Sequence, residues 1–337
     1  MKVYVPNYYN KFKCIADKCT DNCCIGWGID IDSESFERYK SLGEEPRAEL
    51  MKTIELGETI SFKCDKNGRC ANLDERGLCR IISRLGEGYL CQICRDHPRY
   101  FNMVGDRCEG GVGIACEVAA DLVLSMDSMP EIQQIDSPDE VENFSEVSPL
   151  ARSARDYIFN LLFSPEDVNN LYGSVIFAAD MLDDLIFDAL CGEVDTSLPF
   201  ESFIYDKKVA LELDFSAIFR AFNTIEPLIP DFHKKLARAE KFASLKGSEL
   251  TEILADKGRV PMRNLTYYFI HRYFLSTAFS YRECALFAVG SAALILTLAH
   301  LSDGITHENL ISAAKYFSKN IEYSTENVEI VLANLAE

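Results

Sequence analysis

Cys14-Ile-Ala-Asp-Lys-Cys19-Thr-Asp-Asn-Cys23-Cys24 opens a cysteine-rich stretch that runs through Cys64, Cys70 and Cys79 to Cys91-Gln-Ile-Cys94 and closes with Cys108 and Cys116. Only Cys191 and Cys284, of 13 cysteines, fall outside it, and each stands alone in an apolar helical pattern where a thiol packs as a small hydrophobe. Packing alone does not place two close pairs and a vicinal pair in about a hundred residues. Thiolate ligation does, because one ion or cluster must gather donors from several short loops.

The first ten residues, Met1 to Asn10, hold no apolar run long enough for a signal peptide. The expected compartment is therefore the reducing cytoplasm, where thiols stay free. Spacing does not choose the metal. Cys14-x4-Cys19-x3-Cys23 and Cys70-x8-Cys79 match neither paired zinc knuckles nor a ferredoxin run, and Cys91-x2-Cys94 suits both. Neighbouring side chains usually point apart, so Cys23 and Cys24 are expected to divide between one site and the core or a second site.

Charge narrows the partners. Residues 1–116 carry 17 Lys+Arg against 18 Asp+Glu, and the remainder carries 17 against 35, within a formal net charge of −19. A strongly acidic second part is a poor match for a nucleic-acid backbone. It suits a basic or lysine-bearing protein.

The pattern from Gly26 to Asp32 predicts a short strand, and Ser33 or Ser35 then caps a helix that Gly43 ends. Thr53–Phe62 reads as a hairpin about Gly57-Glu58. From Cys64 to Cys94 the chain is loop-rich, as expected where a metal rather than an apolar core organises it. Trp27, the single tryptophan, is either a core ring over the cysteine loops or the wall of a cofactor pocket. His97 follows the Cys91/Cys94 pair as a ligand, a neighbour of the ligands or a solvated loop residue. Arg95 and Arg99 flank the same pair, either to hold a substrate carboxylate by paired hydrogen bonds or to balance thiolate charge. Gly110-Gly111-Val112-Gly113 lacks the third glycine of a dinucleotide fingerprint and reads as a bend that brings backbone close to a cluster.

Residues 127–148 are acidic and without period, the signature of a linker. Beyond them the pattern is helical, with Ser164-Pro165-Glu166-Asp167 as one helix start and further helices near 148–163, 214–224, 228–245, 261–279, 281–301 and 306–320. Cys284 to Leu301 contains no charged residue, yet its small and polar content favours a buried central helix over a membrane span. The expected fold is mainly α. A loop-rich region with short strands (1–126), organised by a metal or iron–sulfur site, precedes a linker (127–148) and a helical, bundle-like domain (149–337).

Several of these residues together resemble the flagellin lysine N-methylase family: Tyr8-Tyr9, Phe12-Lys13-Cys14, Cys19-x3-Cys23-Cys24-x2-Trp27-x-Ile29, Cys70-Ala-Asn-Leu-x5-Cys79, Cys91-Gln-Ile-Cys94-Arg95-x3-Arg99 and Asn264-Leu-Thr-Tyr267-Tyr268-x-Ile-x-Arg272-Tyr273. The likeness runs on to Ser318-Lys-Asn-Ile-Glu-Tyr-Ser324. The cysteine half is also similar to metal-chelating domains with a tighter Cys-x2-Cys-x2-Cys-Cys spacing. The resemblance implies methylation of surface lysines on flagellin, S-adenosylmethionine as donor and a [4Fe-4S] cluster at or near the donor site. Its ligands are expected among Cys14, Cys19, Cys23, Cys24, Cys70, Cys79, Cys91 and Cys94, with Arg95, Arg99 and Trp27 facing the donor or its target. Asp30, Asp32, Tyr267, Tyr268 and Tyr273 are candidate proton acceptors, none preferred. A zinc-organised interaction module and a cluster-bearing redox protein are the rival readings.

Overall fold

The computed structural model describes residues 2–20, 22–105, 107–136, 148–165, 170–204 and 211–336. Seven strands lie among these residues: β1 (Lys2–Pro6), β2 (Ile29–Asp30), β3 (Ile54–Leu56), β4 (Ile60–Phe62), β5 (Arg99–Val104), β6 (Arg107–Val112) and β7 (Ile132–Asp136). The larger sheet has the order β5-β6-β1-β7. β1 runs parallel to β6, with Val3 opposite Cys108 and Tyr4 opposite Glu109, and antiparallel to β7. The smaller sheet, β2-β4-β3, is antiparallel and contains the expected hairpin.

The chain is mainly helical, and the long helices surround a central one, Tyr281–Asp303. Ser280 begins it with a full capping box to Glu283. Cys284 through Ala299 are all buried, which makes this the core helix that its uncharged sequence suggests. The expected helices at 148–163, 228–245, 261–279 and 306–320 appear as Pro149–Leu162, Phe232–Leu245, Arg259–Tyr273 and His307–Ile321. Gly247–Ala255 and Thr325–Leu335 are helices without a counterpart in the sequence reading. The helix start placed at Ser164-Pro165-Glu166-Asp167 lies partly outside the described residues, and the helix there spans Leu171–Leu190.

Packing divides the molecule elsewhere than expected. One core joins Val3, Val5, Tyr8 and Phe12, then Val104, Val112 and Ile114, to the helices. A second, smaller core gathers Ile29, Tyr39, Ile54, Phe62, Leu73 and Ile81 with Cys70 and Cys91. The cysteine-rich part is thus a lobe at about residues 25–94, and it has an apolar core of its own, contrary to an organisation by metal alone. The stretch read as linker contributes β7 to the larger sheet, because Ile132 to Asp136 pair with β1 from Pro6 to Lys2. Residues 137–147 of that stretch lie outside the described residues.

Candidate functional site

Tight turns deliver the thiols of the lobe to a common region. Cys91 is the N-cap residue of the short helix Gln92–Asp96, which carries Cys94 one turn on. Cys79 holds the same position before the helix Arg80–Leu85. The Cys70 amide donates to the Cys24 carbonyl at 3.0 Å, tying the first cysteine loop to the second. The Cys23 and Cys24 sulfurs are 4.0 Å apart, because the turn at these residues bends both side chains the same way rather than apart.

Mutual charge ties these groups together. A hydrogen bond with Cys23, burial, and the neighbouring Cys79 and Cys70 push the Cys24 thiol far up. A hydrogen bond with Cys91, burial, and Cys24 and Cys79 do the same to Cys94, while that bond from Cys94 lowers Cys91. Cys23, Cys24, Cys70, Cys79, Cys91 and Cys94 therefore bear on one another's ionisation, as Cys64 does on Cys70 and Cys23 on Cys116. Among the described residues no three His, Cys, Asp or Glu side chains stand close enough to hold an ion. By donor chemistry the set suits a soft, thiolate-bound cation or cluster, since several crowded thiols ionise together only beside positive charge.

Of the eight expected ligands, Cys14 and Cys19 stand at the margin of this set. Cys14 is exposed, and its sulfur accepts the Ala16 amide at 3.4 Å. Cys19 turns to Glu117, with its sulfur 3.7 Å from Oε2, and toward Cys116.

The helix His307–Ile321 and the residues just after it form the opposite wall. Lys315 and Lys319 on this helix are both buried. Lys315 Nζ donates to Glu117 Oε2 and to Thr20 Oγ1, each at 3.2 Å, and so fastens the first cysteine loop to the helical body. Trp27 lies 5.3 Å from the Tyr323 ring and 6.0 Å from His97, and its indole N–H donates to the Cys23 carbonyl at 2.6 Å. It is the wall of a seam between the lobe and the helices. Burial first, then the charge of Lys319, holds His97 down to about 4, so its ring is neutral at physiological pH. Its Nε2 is buried without a partner among the described residues.

Behind the seam Glu322 collects a polar hub. Arg272 Nη1 lies 2.8 Å from Oε1, and the hydroxyls of Tyr268 and Tyr273 donate to the same oxygen at 2.9 and 3.0 Å. Two candidate bases thus share one carboxylate, whereas Tyr267 is buried elsewhere, its hydroxyl without a partner among the described residues. Asp32 accepts the amides of Ser35 and Gln92, each at 2.8 Å, and so fixes two helix starts; Asp30 is exposed. The two arginines are not brought together: Arg95 is exposed, 3.6 Å from Asp96, while Arg99 lies over the rings of Tyr9 and Phe12. Lys315, Lys319 and Glu322 did not emerge as site residues from the sequence. Their spacing of four and three on an apolar helix is the signal that was there to find.

The glycine run has a plain role. Gly111 lies opposite Tyr100, and Gly110 opposite Phe101, and both rings lie across the strand where a Cβ would stand.

The resemblance seen in the sequence is supported by named relatives. The chain is similar to lysine-N-methylases of Salmonella typhimurium (26% identical) and Salmonella choleraesuis (28% identical), and to the flagellar biosynthetic protein FliU of Salmonella muenchen (26% identical). Each match is an alignment 136 residues long that covers 37% of this chain. It spans 33% of the length of the two lysine-N-methylases and 78% of FliU. No family model matches the chain, and no solved structure does.

Proposed function

We propose that the protein methylates lysine side chains on a flagellar protein, with S-adenosylmethionine as donor and an iron–sulfur cluster held by thiols of the lobe. The observation that carries the reading is the seam itself. An interacting set of six thiols stands near a partly open aromatic wall on a protein similar to lysine-N-methylases. Three of Cys23, Cys24, Cys70, Cys79, Cys91 and Cys94 would hold the cluster if one iron is to stay open. When bound, such a cluster supplies an open coordination position for the amino-acid end of the donor.

The chain's own residues address the acceptor. A lysine ε-ammonium must lose its proton before nitrogen can attack the methyl carbon; the carbon–sulfur bond then breaks and the thioether leaves. Burial holds His97 neutral in the seam, and the same desolvation, together with the cation of Lys319, favours the neutral form of an incoming lysine. The acidic surface of the second part attracts lysine-bearing partners from a distance.

The test is anaerobic purification with iron, sulfide and zinc analysis, calorimetric titration of the donor into holo and apo protein, and mass spectrometry of flagellin after incubation. Iron and sulfide, donor binding that disappears with the cluster, and methyllysine are expected. Stoichiometric zinc without iron overturns the cluster, and the absence of any methylated lysine overturns the enzyme.

A further inference from the structure

Residues 156–206 contain 11 Asp+Glu and no Lys or Arg, and the helix Leu171–Leu190 runs through the middle of that stretch. Val175, Ala179 and Leu182 turn one face of the helix into the core. The other side is open to solvent, yet it is not polar throughout. Phe177 is 40% exposed, Phe187 66% and Leu190 84%. One exposed apolar side chain is ordinary, but three on a single helix, two of them aromatic, are the composition of a contact surface. At 3.6 residues per turn, Phe177, Asp180, Asp184, Phe187 and Asp188 share one arc of about 100°, and the two rings stand about 15 Å apart along the axis. On the same side the first turn is covered at Gly173 by the chain at Leu211, whose carbonyl accepts from the Asn170 side chain, so the open face begins at Phe177.

The carboxylates beside the rings say what kind of partner fits. Asp183 is engaged by the amides of Tyr281 and Arg282, at 2.9 Å each, and so holds the helix against the start of the central one. Asp180 lies 3.4 Å from Arg282. Asp184 and Asp188 are different: neither side chain makes a hydrogen bond or ion pair with a described residue. The face therefore offers two separated rings with two uncommitted negative charges between and beside them. A second copy of this chain, of net charge −19, or an anionic bilayer would bring like charge against it. The complement is a positively charged segment with apolar residues of its own. An amphipathic helix laid along the face puts its apolar stripe on Phe177 and Phe187 and its flanking lysines against Asp184 and Asp188.

We propose that this face of the helix Leu171–Leu190 is a docking site for a lysine-bearing amphipathic helix of the protein substrate. The face contains none of the thiols and none of the seam residues, so it holds the partner without occupying the place where a lysine would react. The rings supply the fixed contact, and the carboxylates supply steering and selection for basic partners. The identity of the partner rests on the methyl-transfer reading; the face and its chemistry do not.

The experiment measures binding of purified monomeric flagellin to the full chain by biolayer interferometry over a series of sodium chloride concentrations. Wild type is compared with Phe187→Ser and with the double variant Asp184→Lys, Asp188→Lys, and melting midpoints establish that each is folded. Phe187→Ser is expected to weaken binding by about tenfold or more and to leave its salt dependence in place. The double variant is expected to weaken it by about tenfold or more and to flatten the salt dependence. Absence of flagellin binding to wild type, unchanged affinity in either variant, or wild-type affinity that ignores salt overturns the proposal. A wild-type dimer in sedimentation that Phe187→Ser dissolves overturns it in favour of a second copy. Methyllysine on flagellin is read separately by mass spectrometry. Binding through this face without methyllysine keeps the docking site and rejects the methyl-transfer reading, whereas methyllysine with unchanged affinity in either variant does the reverse.

Discussion

Replacing Glu109 with glutamine removes the one negative charge that buried Arg155 and half-buried Arg107 share. Burial by itself would raise this carboxyl, but the hydrogen bonds from Arg155 and the charges of Arg155, His271 and Arg107 hold it at about 2 against an ordinary 4.5. The side chain is 4% exposed, so solvent screening takes little from the interaction. A carboxyl displaced that far corresponds to about 3 kcal/mol of folding free energy at neutral pH. The sign follows from the depressed value: the stabilisation is fully present above pH 4.5 and is lost as pH falls towards 2. By pH 3 more than half of it is gone. Glu109→Gln leaves Arg155 buried and unbalanced, in the range of about 3–5 kcal/mol for breaking a buried pair. Urea unfolding of wild type and variant at several pH values between 3 and 7 measures both effects. The gap between the two proteins is about 3 kcal/mol or more at pH 7 and narrows steadily below pH 4.5. A gap under 1 kcal/mol, or one that does not depend on pH, refutes this account of the pair.

Gly111→Ala places a Cβ against the Tyr100 hydroxyl on the facing strand and lowers stability by about 1–3 kcal/mol; an unaltered melting midpoint contradicts it. Ser280→Ala breaks the capping box of the central helix at a cost of about 1 kcal/mol in urea unfolding, and a change below a few tenths shows that the cap contributes nothing there. Lys315→Met takes two hydrogen bonds from the seam, costs about 1.5–3 kcal/mol and speeds tryptic cleavage after Lys18; an unchanged digestion pattern counts against the fastening role. Chelation or oxidation of the thiols loosens residues 25–94 while residues 2–12 and 99–126 stay with the helices, so Trp27 emission shifts to the red without loss of helical circular dichroism. Simultaneous loss of both signals refutes separate cores.

Much of the helical half is legible from the chain because its signals are local. Ser148 before Pro149, and Thr306 before His307, are caps that bond the amides of Leu150 and Asn309, and apolar periodicity does the rest. The uncharged run after Cys284 reads as the core helix that it is. What stays hidden is non-local. Nothing near Ile132 announces that it will pair with Pro6, since a strand of exposed, polar residues has no period-2 apolar signal. The thiols could be grouped by composition, yet the turn of Cys19 towards Glu117, about a hundred residues on, depends on the fold that brings that carboxylate there. The glycines of β6 look like a ligand loop in sequence and are in fact clearance for two rings across the sheet.

The parallel pairing of β1 with β6 also has a kinetic meaning. The 100 residues from 7 to 106 must close as a loop before that ladder can form, so β1 cannot join the local β5–β6 hairpin through contacts near in sequence. The lobe lies inside that loop and has a core of its own. If residues 25–94 collapse first, the flexible contour shrinks from about 100 residues to about 30, and closure entropy falls by about 1 kcal/mol. That is about a sixfold gain in the rate at which the two strands meet. Whatever speeds the lobe's own collapse acts, in this sense, as an assembly factor carried within the chain, setting the tempo for a sheet outside its own core.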